Sequence, residues 1–90
     1  MAAREVHYRG HVQGVGFRYT VRQIAEGFDV TGAVENLADG RVRLRVQGAA
    51  AEVEGLLEEV RRSHLHGFIR GEEIREVEAD PGLRGFHIAG

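Results

Sequence analysis

The chain has 90 residues, 42% hydrophobic and 29% charged, a balance that is typical of one globular domain with its own core. Its formal net charge of −2 argues against a general nucleic-acid-binding domain, which is usually strongly basic. The chain contains neither cysteine nor lysine, which excludes disulfides, thiolate chemistry, Schiff bases and the phosphate-binding lysine of P-loop enzymes.

No apolar run approaches the roughly 20 residues that a membrane-spanning helix needs. The first residues also lack the apolar stretch of a signal peptide. We therefore expect a single cytoplasmic domain over residues 1–90 that binds neither membranes nor nucleic acids.

A strand and a helix come first in the chain. Apolar residues alternate with polar ones at Val6, Tyr8 and Val12, which is the pattern of a half-buried strand. A helix is predicted from Phe17, because apolar side chains then recur every three or four residues, and Gly27 helps to end it. A glycine-containing loop connects the two elements.

The next two strands form a predicted β-hairpin. Residues 30–36 are rich in β-branched side chains, and residues 41–47 alternate strictly between polar and apolar. The Asp-Gly pair in the connection Leu37–Gly40 is a strong hairpin signal. In the second strand we expect one face to contact helices and the other to contact solvent. The helix-facing residues are Val42, Leu44 and Val46, and the solvent-facing residues are Arg41, Arg43, Arg45 and Gln47.

Residues 49–62 have the clearest helical pattern of the chain. Their apolar stripe consists of Val53, Leu56, Leu57 and Val60, at positions i, i+3, i+4 and i+7. Residues 63–67 are predicted to be a loop, and residues 68–78 have weaker strand character. A turn at 80–82 precedes a short terminal strand at 86–88.

The element order is therefore β-α-β-β-α-β with a short fifth strand. Two helices with apolar stripes can both pack on one face of a mostly antiparallel sheet. The predicted fold class is α+β, a ferredoxin-like two-layer α/β sandwich.

The loop before the first helix could bind an anion. Gly14 and Gly16 permit positive φ, so successive N–H groups can turn toward one point at a helix N-terminus. Arg18 in the first helical turn carries a planar fork suited to phosphate. A tight turn alone would also explain both glycines, so the local pattern leaves this alternative open. It is not a dinucleotide fingerprint, because Tyr19 occupies the position of the third glycine.

Residues 10–18, Gly-His-Val-Gln-Gly-Val-Gly-Phe-Arg, resemble the signature of the acylphosphatase family. Residues 32–42 resemble the second family motif, with Asn36 eighteen positions after Arg18 as the family has it. The resemblance extends over essentially the whole chain. It implies a hydrolase that splits the carboxyl–phosphate bond of acyl phosphates into a carboxylate and inorganic phosphate.

The resemblance also implies roles for individual residues. Arg18 would clamp the phosphate and Asn36 would orient the attacking water. The backbone amides of the loop would bind the phosphate; they belong to Gln13, Gly14, Val15, Gly16, Phe17 and Arg18. We expect the Gln13 side chain to brace the loop. We expect no metal and no other cofactor, a small-molecule acyl phosphate as the substrate, and a monomer.

Two positions depart from the family pattern. Ala33 stands where a large aromatic residue is usual, which predicts a smaller core or a more open wall. Glu35 stands where a basic or amide residue is usual; strand alternation should turn it away from Asn36. The charge of Glu35 would still lie near the phosphate. For the two positions together we expect lower catalytic efficiency rather than lost activity.

Other functions remain as alternatives. The main one is a non-catalytic module that retains the phosphate cradle. A related domain also occurs within larger hydrogenase-maturation carbamoyltransferases, although we expect this chain to be complete.

His64 and His66 could offer two metal ligands, but a solvated loop is the preferred interpretation. The predicted arginine stripe of the open sheet face lacks the aromatic residues that stack RNA bases, which favours a solvated surface; it comprises Arg9, Arg43 and Arg45.

Overall fold

The computed structural model describes residues 1–90 and follows the predicted order of elements. The strands are β1 (Ala2–Gly10), β2 (Val30–Asn36), β3 (Val42–Gly48), β4 (Ile69–Glu76) and β5 (Phe86–Ile88), and the helices are α1 (Phe17–Ala25) and α2 (Ala50–Arg62). The predicted loop after α2 instead contains a 3₁₀ helix, His64–Phe68. Its first turn forms because Ser63 Oγ accepts a hydrogen bond from the Leu65 N–H.

All five strands join one sheet in the order β4-β1-β3-β2-β5. Three neighbouring pairs are antiparallel, and only β2 and β5 run parallel. This arrangement confirms the predicted ferredoxin-like sandwich, including the short fifth strand.

The hydrophobic core lies between the two helices and one face of the sheet. The predicted apolar stripe of α2 is buried, as are the three helix-facing residues of β3, which are Val42, Leu44 and Val46. From α1 the core takes Phe17, Val21 and Ala25. Burying one such aliphatic or aromatic side chain contributes about 1.5–3 kcal/mol, so this face holds the layers together. Neither helix combines the length and the apolar character that crossing a bilayer requires.

Val12 does not belong to the first strand, contrary to the prediction. β1 ends at Gly10, where its register with β4 shifts, and Val12 is buried from the loop that follows. Gly10 has φ +128°, and a Cβ there would lie 2.4 Å from the carbonyl oxygen of Phe68. The close approach of the 3₁₀ helix therefore requires glycine, and it turns the chain out of the sheet toward the site.

Gln47 is buried rather than solvent-facing, which corrects the prediction for β3. Because β4 and β5 form opposite edges of the sheet, residues 77–85 must cross the face that the helices leave open. Gln47 meets this connection with two hydrogen bonds of 2.8 Å, one to the carbonyl and one from the N–H of Asp80. The Gln47 amide thus supplies the hydrogen bonds that water would otherwise make with the backbone of Asp80.

Candidate active site

The two glycines of the loop adopt the left-handed backbone conformation that was predicted. Gly14 has φ +79° and Gly16 has φ +77°. A Cβ added at either position would have no neighbour within 4 Å. Glycine is therefore required by the backbone conformation and not by lack of space. A residue with a side chain costs about 1–2 kcal/mol when its backbone is left-handed.

The backbone amides of residues 13–18 are free to bind an anion. None of them donates a hydrogen bond to another backbone or side-chain group. Gly16 is the N-cap of α1 and provides no side-chain cap, so the first-turn N–H groups also lack an acceptor. The positive end of the helix dipole lies at the same place. The loop therefore concentrates unpaired donors and positive potential.

Arg18 lies in the first turn of α1 and is half-buried. Its Nη1 donates a hydrogen bond of 2.5 Å to the backbone oxygen of Gly90, the last residue of the sequence. The same oxygen accepts a longer bond, 3.5 Å, from the backbone N–H of Asn36. Arg18 takes part in none of the ion pairs with aspartate or glutamate side chains, so no side-chain carboxylate neutralises its charge.

Asn36 is the last residue of β2 and lies on the helix-facing side, like the fully buried Val34. Its Oδ1 is buried and has no hydrogen-bond partner in the protein. A buried acceptor without a partner costs about 1–3 kcal/mol, which a donor such as a water molecule would recover. The side chain is thus able to hold a water through Oδ1.

These groups border one pocket of about 140 Å³. Its lining consists of Val12, Gly14, Gly16, Phe17, Arg18, Tyr19, Asn36 and Ile88. Since one water in the liquid takes about 30 Å³, the pocket has room for a phosphoryl group and a water. The structure therefore brings Arg18, Asn36 and the glycine loop together, as the two sequence motifs led us to expect.

A larger groove of about 560 Å³ lies between α2 and β4, but it contains no residue of either motif. Both arginines that line it already pair with carboxylates: Arg4 with Glu54 and Glu76, and Arg61 with Glu58 and Glu72. The smaller pocket is therefore the candidate site, because its arginine has no aspartate or glutamate partner and its loop amides are unpaired.

Gln13 braces the loop, as predicted. Its Nε2 donates to the carbonyl oxygens of Leu37, at 2.8 Å, and Arg41, at 3.0 Å. Both acceptors lie in the connection between β2 and β3, directly after Asn36. One side chain therefore joins the glycine loop to the connection that follows the strand carrying Asn36.

Tyr8 supports the site from within the core. Its ring centroid lies 5.0 Å from that of Phe17, the first residue of α1. Burial, together with the nearby charge of Glu72, raises the pKa of the Tyr8 hydroxyl far above its usual range. The buried ring of Tyr8 packs beneath the first turn of α1.

The two departures from the family pattern lie on the open face of the sheet. Glu35 points away from Asn36, as expected, and forms an ion pair with Arg43, its cross-strand neighbour. Its charge is thus neutralised outside the pocket. Ala33 lies between Arg45 and His87 on the same face. Of the two expectations for Ala33, a smaller core or a more open wall, the smaller core is wrong, because the core occupies the other face of the sheet.

The histidines form no metal-binding cluster. His64 and His66 belong to the 3₁₀ helix, and no group of three or more histidine, aspartate or glutamate side chains is close enough to hold an ion. In the arginine stripe, Arg43 is paired with Glu35, and the Arg9 guanidinium lies against Gly71.

Three residues of the site were not singled out from the sequence. Ile88 and Gly90 reach it only because β5 pairs with β2, and no local pattern indicates that pairing. The sequence did contain a signal for Tyr19. It is an aromatic residue next to Arg18, and it lies outside the helical positions of α1 that the core buries.

Comparison with known proteins gives a consistent result. The acylphosphatase family model matches residues 4–88. An acylphosphatase from Rubrobacter xylanophilus is 40% identical over 92% of this chain and 76% of its own. One from Archaeoglobus fulgidus is 36% identical over 99% of both chains. The crystal structure of acylphosphatase from Bacillus subtilis matches with a TM-score of 0.89 and 29% identity over 100% of both chains. The chain belongs to the acylphosphatase family.

Proposed function

We propose that Arg18, Asn36 and the backbone amides of residues 13–18 carry out the reaction of this acylphosphatase, within a single domain of residues 1–90. The enzyme hydrolyses the carboxyl–phosphate bond of acyl phosphates to a carboxylate and inorganic phosphate. One observation carries the assignment of the site: unpaired amides, a guanidinium without an aspartate or glutamate partner and the buried, unpartnered Oδ1 of Asn36 border the same 140 Å³ pocket.

The phosphoryl group binds at the N-terminus of α1. Its oxygens accept hydrogen bonds from the loop amides, whose orientation depends on the positive φ of Gly14 and Gly16. Arg18 adds a full positive charge. Only one of its five donor hydrogens is needed for Gly90, so the rest of the fork is available to phosphate oxygens.

Asn36 positions the nucleophile. Its Oδ1 accepts one O–H of a water molecule and so directs a lone pair of the water toward phosphorus. A neutral amide suits this task better than a carboxylate, because a carboxylate would repel the incoming phosphate. Holding the water beside the bound phosphoryl group contributes through orientation, which is a major part of catalysis in phosphoryl transfer.

The leaving group explains why so few residues suffice. The bond from phosphorus to the carboxylate oxygen breaks as the bond from phosphorus to the water oxygen forms, and a phosphate oxygen takes up the water proton. The departing carboxylate has a conjugate acid with a pKa of about 4, so it leaves without protonation. No general acid is required, and charge neutralisation with an oriented water is enough.

Hydrolysis of benzoyl phosphate in the presence of EDTA tests this assignment. We expect the Arg18→Gln variant to lose both turnover and binding of inorganic phosphate. The Asn36→Ala variant should lose turnover but still bind phosphate. Circular dichroism of each variant controls for folding. Full activity of Asn36→Ala would refute the water-positioning role, and a folded wild-type protein that binds phosphate without turnover would support the non-catalytic alternative.

We propose a small acyl phosphate as the physiological substrate. The cytoplasmic location and the monomeric state remain predictions from the sequence.

A further inference from the structure

Two exposed apolar side chains border the pocket that holds Arg18 and Asn36. Tyr19 is 57% exposed and Ile88 is 38% exposed. Tyr19 belongs to α1 and Ile88 to β5, two elements that pack against each other. The apolar floor of the same pocket, Val12 and Phe17, is by contrast almost fully buried. The pocket thus has a buried base and an exposed apolar rim.

The position of this rim is not explained by packing. The buried stripe of α1 consists of Phe17, Val21 and Ala25, so Tyr19 lies outside the surface that the core needs. The large hydrophobic residues that are exposed in this protein are Met1, Tyr19, Ile74, Val77 and Ile88. Only Tyr19 and Ile88 line the phosphate pocket. Apolar side chains that remain exposed next to convergent polar groups are typical of a ligand contact.

We propose that Tyr19 and Ile88 form an acyl-group subsite that favours aromatic and branched acyl phosphates over acetyl phosphate. The inference rests on the proposed function, because it requires the phosphoryl group to bind the amides of the loop. With phosphorus held there, the acyl part of the substrate extends past the floor of the pocket to its exposed rim. A phenyl ring then packs against the Tyr19 ring and the Ile88 side chain, whereas an acetyl methyl group is too small to cover either.

The contact between the phenyl ring of the substrate and the Tyr19 ring sets the expected preference for benzoyl phosphate over acetyl phosphate. An aromatic pair adds enough attraction, beyond simple burial, to change a rate ratio by about threefold to tenfold. The subsite acts on the acyl group alone, so it leaves the binding of inorganic phosphate unchanged.

The experiment compares kcat/KM for benzoyl phosphate and acetyl phosphate in five proteins: wild type, Tyr19→Ala, Tyr19→Phe, Ile88→Ala and Ile74→Ala. Ile74 is the matched control, because it is an isoleucine of similar exposure, 41%, that lines only the groove beside α2. We expect Tyr19→Ala to lower the benzoyl-to-acetyl ratio about threefold to tenfold through loss of the aromatic pair. Ile88→Ala should lower the same ratio through loss of apolar contact area. Tyr19→Phe, which keeps the ring, and Ile74→Ala should retain the wild-type ratio.

Inhibition by inorganic phosphate separates the outcomes. An unchanged substrate ratio in folded Tyr19→Ala and Ile88→Ala, with normal acetyl phosphate turnover, overturns the subsite and leaves the proposed function standing. Equal losses for both substrates together with weaker phosphate inhibition also overturn it, because the two residues would then shape the phosphate site itself. A wild-type protein that hydrolyses neither substrate overturns the proposed function, and the subsite with it.

Discussion

The guanidinium of Arg18 donates a 2.5 Å hydrogen bond to the backbone oxygen of Gly90, a residue 72 positions away along the chain. The backbone N–H of Asn36 points to the same oxygen. The segment after β5 therefore orients the proposed phosphate clamp relative to the strand that carries the proposed water-binding residue. Ala89 donates to the Val34 carbonyl at 2.9 Å and extends the pairing of β5 to this point.

Deleting Gly90 should raise the KM for benzoyl phosphate. The deletion removes the acceptor that holds Arg18, and the freed side chain must lose conformational entropy when phosphate binds. A hydrogen bond to a charged group is worth about 1.5–3 kcal/mol when buried, and exposure to solvent reduces this here to a change of roughly threefold to tenfold in KM. Steady-state kinetics measure the effect, and the melting temperature should change little. A lower KM would mean that Gly90 competes with phosphate for Arg18.

Gly16→Ala should destabilise the protein and weaken phosphate binding. Gly16 has φ +77°, so a side chain there costs about 1–2 kcal/mol unless the loop rearranges and turns its amides away. Gly67→Ala is the matched control, because a Cβ at Gly67 also meets nothing within 4 Å and its φ lies outside the left-handed region. Urea unfolding and titration with inorganic phosphate measure both effects. Equal behaviour of the two variants would show that the loop does not depend on positive φ.

Gln13→Ala should lower both stability and kcat. The substitution removes the two hydrogen bonds that join the phosphate loop to the connection after Asn36 and leaves the carbonyls of Leu37 and Arg41 without this donor. We expect a loss of about 1–3 kcal/mol in the free energy of unfolding. Gln23→Ala on α1 is the control, because Gln23 is exposed and its side chain makes no hydrogen bond. Urea unfolding and benzoyl phosphate kinetics test this, and wild-type values for Gln13→Ala would exclude a bracing role.

Asp39 should make the β2–β3 connection sensitive to acid. The backbone N–H of Arg41 bonds its carboxylate, and with the Arg41 side chain it holds the pKa of Asp39 below the ordinary value. The lowered pKa means that this stabilisation is complete above about pH 4, the ordinary value of the unfolded chain, and is lost as the pH falls through the folded-state pKa. The stability difference between wild type and Asp39→Asn should therefore shrink on acidification. Urea unfolding at neutral and acidic pH measures it; a difference that stays constant would contradict the prediction.

Features that depend on neighbours in the chain could be predicted from the sequence. β2 has the predicted bounds, Val30–Asn36, because its β-branched residues and the following Asp-Gly pair act locally. The stripe of α2 and the positive φ of Gly14 and Gly16 follow from periodicity and backbone sterics in the same way. The family motifs added the roles proposed for Arg18 and Asn36, which local chemistry alone left undecided.

Features that depend on the crossing of the sheet were decided by the tertiary structure. Residues 77–85 connect opposite edges of the sheet, so they bury Gln47, which strand alternation had assigned to solvent. Because of the same connection, β5 pairs with β2, and this pairing places Ile88 and Gly90 next to the pocket. The alternation of polar and apolar residues along a strand indicates only which face of the strand a residue lies on. What covers that face depends on contacts between segments that are far apart in the chain, and these form only when the whole sheet is assembled.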